Sequence, residues 1–188
     1  MKTETNTYEV QDSDIEILRN EGVSENDIKH CVQVAEKALD VAYRTGANLD
    51  MELVGRGALF HDLGKAQTHE IEHGKIGAEL GQKLGLPKAV TDLMEKHIRG
   101  GMTPDEAEEL GLPAKDYTLS RLEERIVIYA DRLVDIIYDG IVDIGGDETA
   151  AETRFEEILR DYPKYKKNDI TMNRYYGYHR EIQGLINK

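Results

Sequence analysis

Apolar residues along this chain recur three and four apart almost throughout, and no stretch sustains the two-residue alternation of a half-buried strand. The spacing predicts an all-α protein. Its clearest stripe is Ile28, Cys31, Val32, Ala35, Leu39 and Ala42, on a helix begun by Ser24 with Asp27 and stopped by Gly46. Ahead of it a short helix is expected, capped near Ser13 with Glu16 completing a capping box, and ending by Gly22. Behind it Asp50 caps a third helix, which runs through Leu53 and Leu59 to His61 and meets Gly64.

Residues 65–72 are polar and read as a loop. A helix from about His73 to Leu84 closes at Gly85, and Pro87 suits the start of the next, which reaches about Arg99. Thr103-Pro104-Asp105 opens a short helix ending at Gly111. Thr118 is the expected cap of a long helix whose Leu122, Ile126, Tyr129, Ala130, Leu133 and Ile137 face a core. Two more helices, about 147–161 and 171–187, flank a basic, Tyr-rich turn from Pro163 to Lys167.

The 188 residues suit one domain with a sizeable core. A net charge of −13 opposes binding to a long nucleic acid or an anionic membrane. The charge is uneven: residues 160–188 hold 7 basic and 3 acidic side chains. One cysteine, Cys31, excludes an internal disulfide and a Cys-built zinc site and suits a reducing compartment. Residues 1–14 are polar without the apolar core of a signal peptide, and the longest strongly apolar run, Ile126 to Ala130, is far too short to span a bilayer. A cytoplasmic location is expected.

The candidate chemistry lies in histidines and carboxylates placed on separate helices. His61-Asp62 closes the third helix and is followed by Leu63-Gly64-Lys65. His30 lies at the edge of the second helix's stripe, His73 opens the fourth helix, and His97 lies late in the fifth. Asp131 sits inside the apolar run Ile126 to Val134, where a carboxylate must be paired, protonated or metal-bound. Imidazoles and carboxylates converging in a helical core make an N/O site suited to iron, manganese, nickel, cobalt or zinc. Such a site polarises a phosphoryl oxygen and lowers the pKa of bound water.

Each residue has a plainer reading. His61 could interact with its helix dipole beside a surface Asp62; Asp131 could pair with Arg132 or Arg125; His30 could be a satisfied core histidine. His73 could face solvent at a helix start, and Lys65 could be an ordinary helix-end lysine. His69 reads as an exposed loop residue and His179 as a surface one. The Tyr/Lys-rich tail reads as helix packing with a solvated face rather than a base-stacking platform.

The order His30, His61-Asp62, Asp131 resembles the HD-domain metal-dependent phosphohydrolases, an all-helical superfamily, with matching context over about residues 24–139. Phe60-His61-Asp62-Leu63-Gly64-Lys65 resembles the family's His-Asp-x-Gly-Lys signature. His73-Gly74-Lys75-Ile76-Gly77-Ala78 is similar to the run found in the subset with extra histidines, and Tyr129-Ala130-Asp131-Arg132 to that subset's terminal segment. The resemblance implies His30, His61, Asp62 and Asp131 as ligands of one metal. It further implies His73 and His97 as ligands of a second, with Asp62 bridging. Catalytic roles fall to Asp62 and Lys65, with Lys65 contacting phosphate; Arg99 and Arg132, two residues and one from presumed ligands, could clamp phosphate or be ordinary exposed arginines.

The implied enzyme is a metal-dependent phosphohydrolase with one or two divalent ions and a small phosphorylated, nucleotide-like substrate. It is a single HD-type domain over residues 1–188, with 140–188 as additional C-terminal helices and a homodimer compatible with its size. The closer likeness is to the dinuclear subset that includes diadenosine-tetraphosphate hydrolases. The cyclic-dinucleotide branch would carry a His-His pair and a Gly-Tyr-Pro motif, whereas Lys96 precedes His97 here and Ile98-Arg99-Gly100-Gly101 follows it. Two rival readings are a regulatory nucleotide- or metal-binding module without turnover and a helical interaction protein with a structural metal. Six candidate ligands rather than four count against the structural metal.

Overall fold

The computed structural model describes residues 7–188, all helix, turn and coil, with no strand among them. The reading of the extreme N-terminus therefore lies in part, at 1–6, outside the described residues. The helices are α1 (Asp12–Asn20), α2 (Glu25–Thr45), α3 (Met51–Phe60), α4 (His73–Lys83), α5 (Lys88–Lys96), α6 (Pro104–Glu109), α7 (Leu122–Tyr138), α8 (Thr149–Thr153), α9 (Phe155–Asp161), α10 (Pro163–Lys166) and α11 (Asp169–Ile186). Two 3₁₀ turns, Leu63–Ala66 and Ile98–Gly100, follow α3 and α5.

The centre of the bundle is α7. Ile126, Val127, Ile128, Tyr129, Ala130, Leu133, Val134 and Ile136 are all buried, so this helix is apolar nearly all round and is covered by α2, α3 and α11. Burying a large aliphatic side chain contributes roughly 1.5–3 kcal/mol, so an enclosed helix of this kind anchors whatever polar groups it carries. Helices α4 and α5 pack on each other beside α3. The C-terminal α8 to α11 close the far side, with Phe155, Ile158, Leu159, Tyr165, Tyr175 and Ile182 joining the main core. A small separate cluster, Ile98, Met102, Ala107 and Tyr117, sits under α6.

Local chemistry sets most boundaries where the sequence places them. Ser24 Oγ accepts the Asp27 N–H at 3.1 Å, Asp50 accepts that of Leu53 at 3.0 Å, and Gly46 closes α2 at φ +64°. Thr103 and Glu106 form the capping box of α6.

Several boundaries differ from expectation. Ser13 lies inside α1 and caps nothing; Asp12 opens that helix behind Gln11, and Glu16 pairs with Arg19 instead. Thr118 bonds Asp116 at 2.6 Å, and α7 begins only at Leu122, where Glu124 accepts the backbone N–H groups of Ser120 and Arg121. Helix α5 ends at Lys96, because Arg99 adopts a left-handed conformation. The expected helix over 147–161 breaks at Arg154, the basic turn holds a one-turn helix of its own, and α11 starts at Asp169 behind an Asn168 cap. At the starts of α7 and α11 the cause is a side chain, Glu124 or Asn168, that offered the orphan backbone groups a better partner than the nearest Ser or Thr.

Candidate metal centre

Six elements deliver side chains to one cleft of about 630 Å³. His30 comes from α2 and Asp131 and Asp135 from α7. His61 and Asp62 follow α3, Lys65 lies in the first 3₁₀ turn, His73 is the first residue of α4, and His97 follows α5. The structure thus brings together all six sequence-derived ligand candidates.

Three of the histidines share one device. His61, His73 and His97 each donate Nδ1–H to the backbone carbonyl three residues earlier, of Ala58 (2.6 Å), Glu70 (2.7 Å) and Met94 (2.7 Å). A carbonyl only accepts, so Nδ1 carries the proton, and in the neutral ring Nε2 carries a lone pair aimed into the cleft. Such bonds fix the tautomer and ring orientation of a metal-ligating histidine.

The two carboxylate oxygens of Asp62 divide these rings between them. Oδ2 lies 3.3 Å from His61 Nε2, 3.8 Å from His30 Nε2 and 2.7 Å from Lys65 Nζ. Oδ1 lies 3.1 Å from His73 Nε2 and 3.4 Å from His97 Nε2. On the α7 side, His30 Nε2 lies 2.9 Å from Asp131 Oδ1, and its Nδ1 lies 3.7 Å from Asp135 Oδ1. His61 Nε2 is buried with no hydrogen-bond partner among the described residues. Three sets, namely His30, His61 and Asp62, then Asp62, His73 and His97, then His30, Asp131 and Asp135, each bring donor atoms within 4.8 Å of one another.

This donor set fits divalent transition ions: an orphaned buried Nε2, two facing Nε2 lone pairs and a shared carboxylate are groups that a cation satisfies together. Burial opposes the charge of Asp62, but His61, His73 and His97 outweigh it and hold the carboxyl well below the usual range. Burial likewise disfavours a charged His61, and Asp62 and Asp131 overcome that, pushing it up to about 10. Burial lowers His97, with His73 and His61 adding to the effect against the pull of Asp62. Burial also works against the Lys65 ammonium, and Asp62 more than offsets it.

The other candidates sit around this core. Arg132 lines the cleft while its Nη2 bonds Asp131 at 3.2 Å and Asp135 at 2.5 Å. Arg99 lines the wall beyond His97, and Lys167 lies at the rim. Partial burial, together with Arg132 and Arg99, lowers the pKa of Lys167. Arg125 pairs with Glu181 and takes no part. His69 is exposed and bonds Asp27 at 3.1 Å. His179 is not the surface residue expected: its ring stacks on Phe155 at 4.9 Å and accepts the Tyr129 hydroxyl at 2.8 Å. Asp135, Lys167 and Tyr175 also line the cleft, none of them a site candidate from the sequence, where the Tyr/Lys-rich tail reads as helix packing with a solvated face. Only Asp135 carried a signal, one turn beyond Asp131 on the same helix face.

The HD domain family matches residues 27–134, a span that holds every one of the six ligand candidates. The chain belongs to the HD-domain family. The uncharacterized protein MJ0778 of Methanocaldococcus jannaschii is 46% identical over 123 residues, covering 64% of this chain and 72% of that one. A tRNA (cytidine(56)-2'-O)-methyltransferase of Picrophilus torridus is 36% identical over 126 residues, covering 67% of this chain and 36% of its own length. Among solved structures, the HD domain of the L. monocytogenes phosphodiesterase PgpH in complex with cyclic-di-AMP superposes with a TM-score of 0.57 at 18% identity. It covers 93% of this HD-family chain and 94% of that chain, a likeness of fold. Among the described residues no helix of this HD-family chain is long and apolar enough to cross a membrane.

Proposed function

We propose that this HD-family chain is a dinuclear metal-dependent phosphohydrolase acting on a phosphate ester or anhydride of a small, nucleotide-like substrate. The observation that carries the reading is Asp62: one carboxylate oxygen faces His61 and His30 and the other faces His73 and His97, the geometry of a bridging ligand. His30, His61, Asp62 and Asp131 would hold one ion, and Asp62, His73 and His97 the other. Bound divalent ions supply Lewis acidity towards a phosphoryl oxygen and acidify the attacking water.

The chain's own groups do the rest. Lys65, 2.7 Å from Asp62, offers a cation to a phosphoryl oxygen drawn to the site. Arg132 holds Asp131 and Asp135 in place while facing the cleft, so it positions one ligand and presents part of its guanidinium to substrate. Arg99, which also lines the cleft, offers a further cation. A phosphodiesterase HD domain of the same fold supports a phosphoryl substrate, and the net charge of −13 favours a small one.

The test is hydrolysis of phosphomonoesters and dinucleotides by protein loaded with Mn²⁺, Fe²⁺, Ni²⁺ or Co²⁺. Cleavage that Asp62→Asn reduces to background supports the reading. Tight nucleotide binding with no turnover under any of these ions overturns it in favour of a regulatory module.

A further inference from the structure

Among the described residues, two positions other than glycine have positive φ: Arg99 at +56° and Lys167 at +63°. Both are basic and both line the same cleft. They come from separate parts of the chain, Lys167 lying outside the span matched by the HD family. Left-handed backbone is rare for long side chains, and such residues persist where the surroundings enforce them and cluster at ligand clamps.

The enforcing contacts are visible. At Lys167 the backbone makes a γ-turn, with Asn168 N–H donating to the Lys166 carbonyl at 2.8 Å. At Arg99 the chain is gripped from α11: Arg174 donates to the Arg99 carbonyl at 2.9 Å and the Tyr178 hydroxyl to the Gly100 carbonyl at 2.6 Å. The same C-terminal helix begins two residues after Lys167. Helix α11 thus grips the Arg99 turn directly and starts just after the Lys167 turn.

Neither side chain has an ion-pair or hydrogen-bond partner among the described residues, although the chain carries 37 carboxylate side chains. Neighbouring lysines do find partners: Lys164 meets Asp139 at 2.7 Å and Lys166 meets Asp169 at 3.4 Å. Both line one cleft, and Lys167 lies within electrostatic reach of Arg99 and Arg132 as well as of Asp135 and Asp131, whereas Lys65 is already engaged by Asp62.

We infer that Arg99 and Lys167 form a second phosphate subsite, so that the substrate carries another phosphoryl group next to the one held at the metal ligands. This rests on the phosphohydrolase reading of the same cleft, and it narrows the substrate to an oligophosphate or phosphate-linked nucleotide rather than a simple monoester.

The test is calorimetric binding of two uncleavable probes, methylenediphosphonate and methylphosphonate, to the metal-loaded full chain. Lys167→Ala and Arg99→Ala are each expected to weaken the diphosphonate at least tenfold while changing methylphosphonate less than about threefold; Lys166→Ala, removing an adjacent paired lysine, leaves both unchanged. Lys167→Gly, which fits the γ-turn without a side chain, must reproduce the Lys167→Ala loss with the fold intact. Unchanged diphosphonate binding in the Lys167 variants, or equal loss for both probes, overturns the second subsite. A wild type that discriminates in this way yet cleaves no phosphate compound would instead defeat the hydrolase reading alone.

Discussion

The Nε2 atoms of His73 and His97 face each other 3.0 Å apart, and each ring already donates its Nδ1–H to a backbone carbonyl. Two neutral imidazoles so committed meet lone pair to lone pair. A proton or a cation between them resolves the repulsion, and Asp62 Oδ1, within 3.4 Å of both, completes a three-donor face. This pair separates a two-ion centre from a one-ion centre.

The signature glycine Gly64 explains how His73 comes so close to Asp62. A Cβ there would lie 1.9 Å from the His73 carbonyl oxygen and 2.7 Å from the Gly77 nitrogen, both rigid backbone. Gly64→Ala is therefore expected to push α4 away, costing about 1–3 kcal/mol and the ion on the His73 side. Chemical denaturation and metal content check both effects. Gly184→Ala, on an open helix face with nothing within 4 Å, should instead be neutral or stabilising by up to about 1 kcal/mol.

Lys167 should show a conflict between stability and binding. Its positive φ costs of order 1–3 kcal/mol in a non-glycine residue, and glycine gives back part of that in chain entropy. Lys167→Gly is expected to raise the denaturation midpoint, by roughly 1 kcal/mol of stability, whereas Lys167→Ala keeps the strain and gains nothing. A midpoint lowered by Lys167→Gly would show that the turn is not strained.

Acid should weaken the join between α2, α8 and α11. Glu152 accepts from Arg44 at 3.2 Å and from Gln183 at 2.8 Å. Burial raises its pKa, but these bonds prevail and hold it below the ordinary glutamate value. A depressed folded-state pKa means that this contribution is present above the unfolded value of about 4.3 and is lost as pH falls through the folded one. Glu152→Gln should thus lower stability at neutral pH by roughly 0.5–1 kcal/mol and flatten the acid limb. Urea midpoints between pH 3 and pH 7 measure it; parallel curves for both proteins would contradict it.

Much of the site was legible because the residue types are rare in their settings. Asp131 stood out as a carboxylate in an apolar run, and His61-Asp62-Leu63-Gly64-Lys65 carried a family pattern with a steric reason behind its glycine. Asp135 was hidden because a half-exposed acid one turn from Asp131 looks like any surface carboxylate until Arg132 and His30 are seen beside it. Lys167 was hidden because a positive φ at a lysine leaves no trace in residue spacing: its turn is closed by backbone atoms of Pro163, Lys166 and Asn168. His179 was misread because Phe155 and Tyr129, distant in sequence, cover it in part. Helix ends failed where Glu124 or Asn168, rather than the nearest hydroxyl, capped the backbone.

The most direct measurement is the number of metal ions per chain in the reconstituted protein and in His97→Ala, determined by elemental analysis. Two ions falling to about one, with the remaining ion retained by His30, His61, Asp62 and Asp131, is the expected result. One ion in the wild type and an unchanged count in the variant would contradict the dinuclear centre.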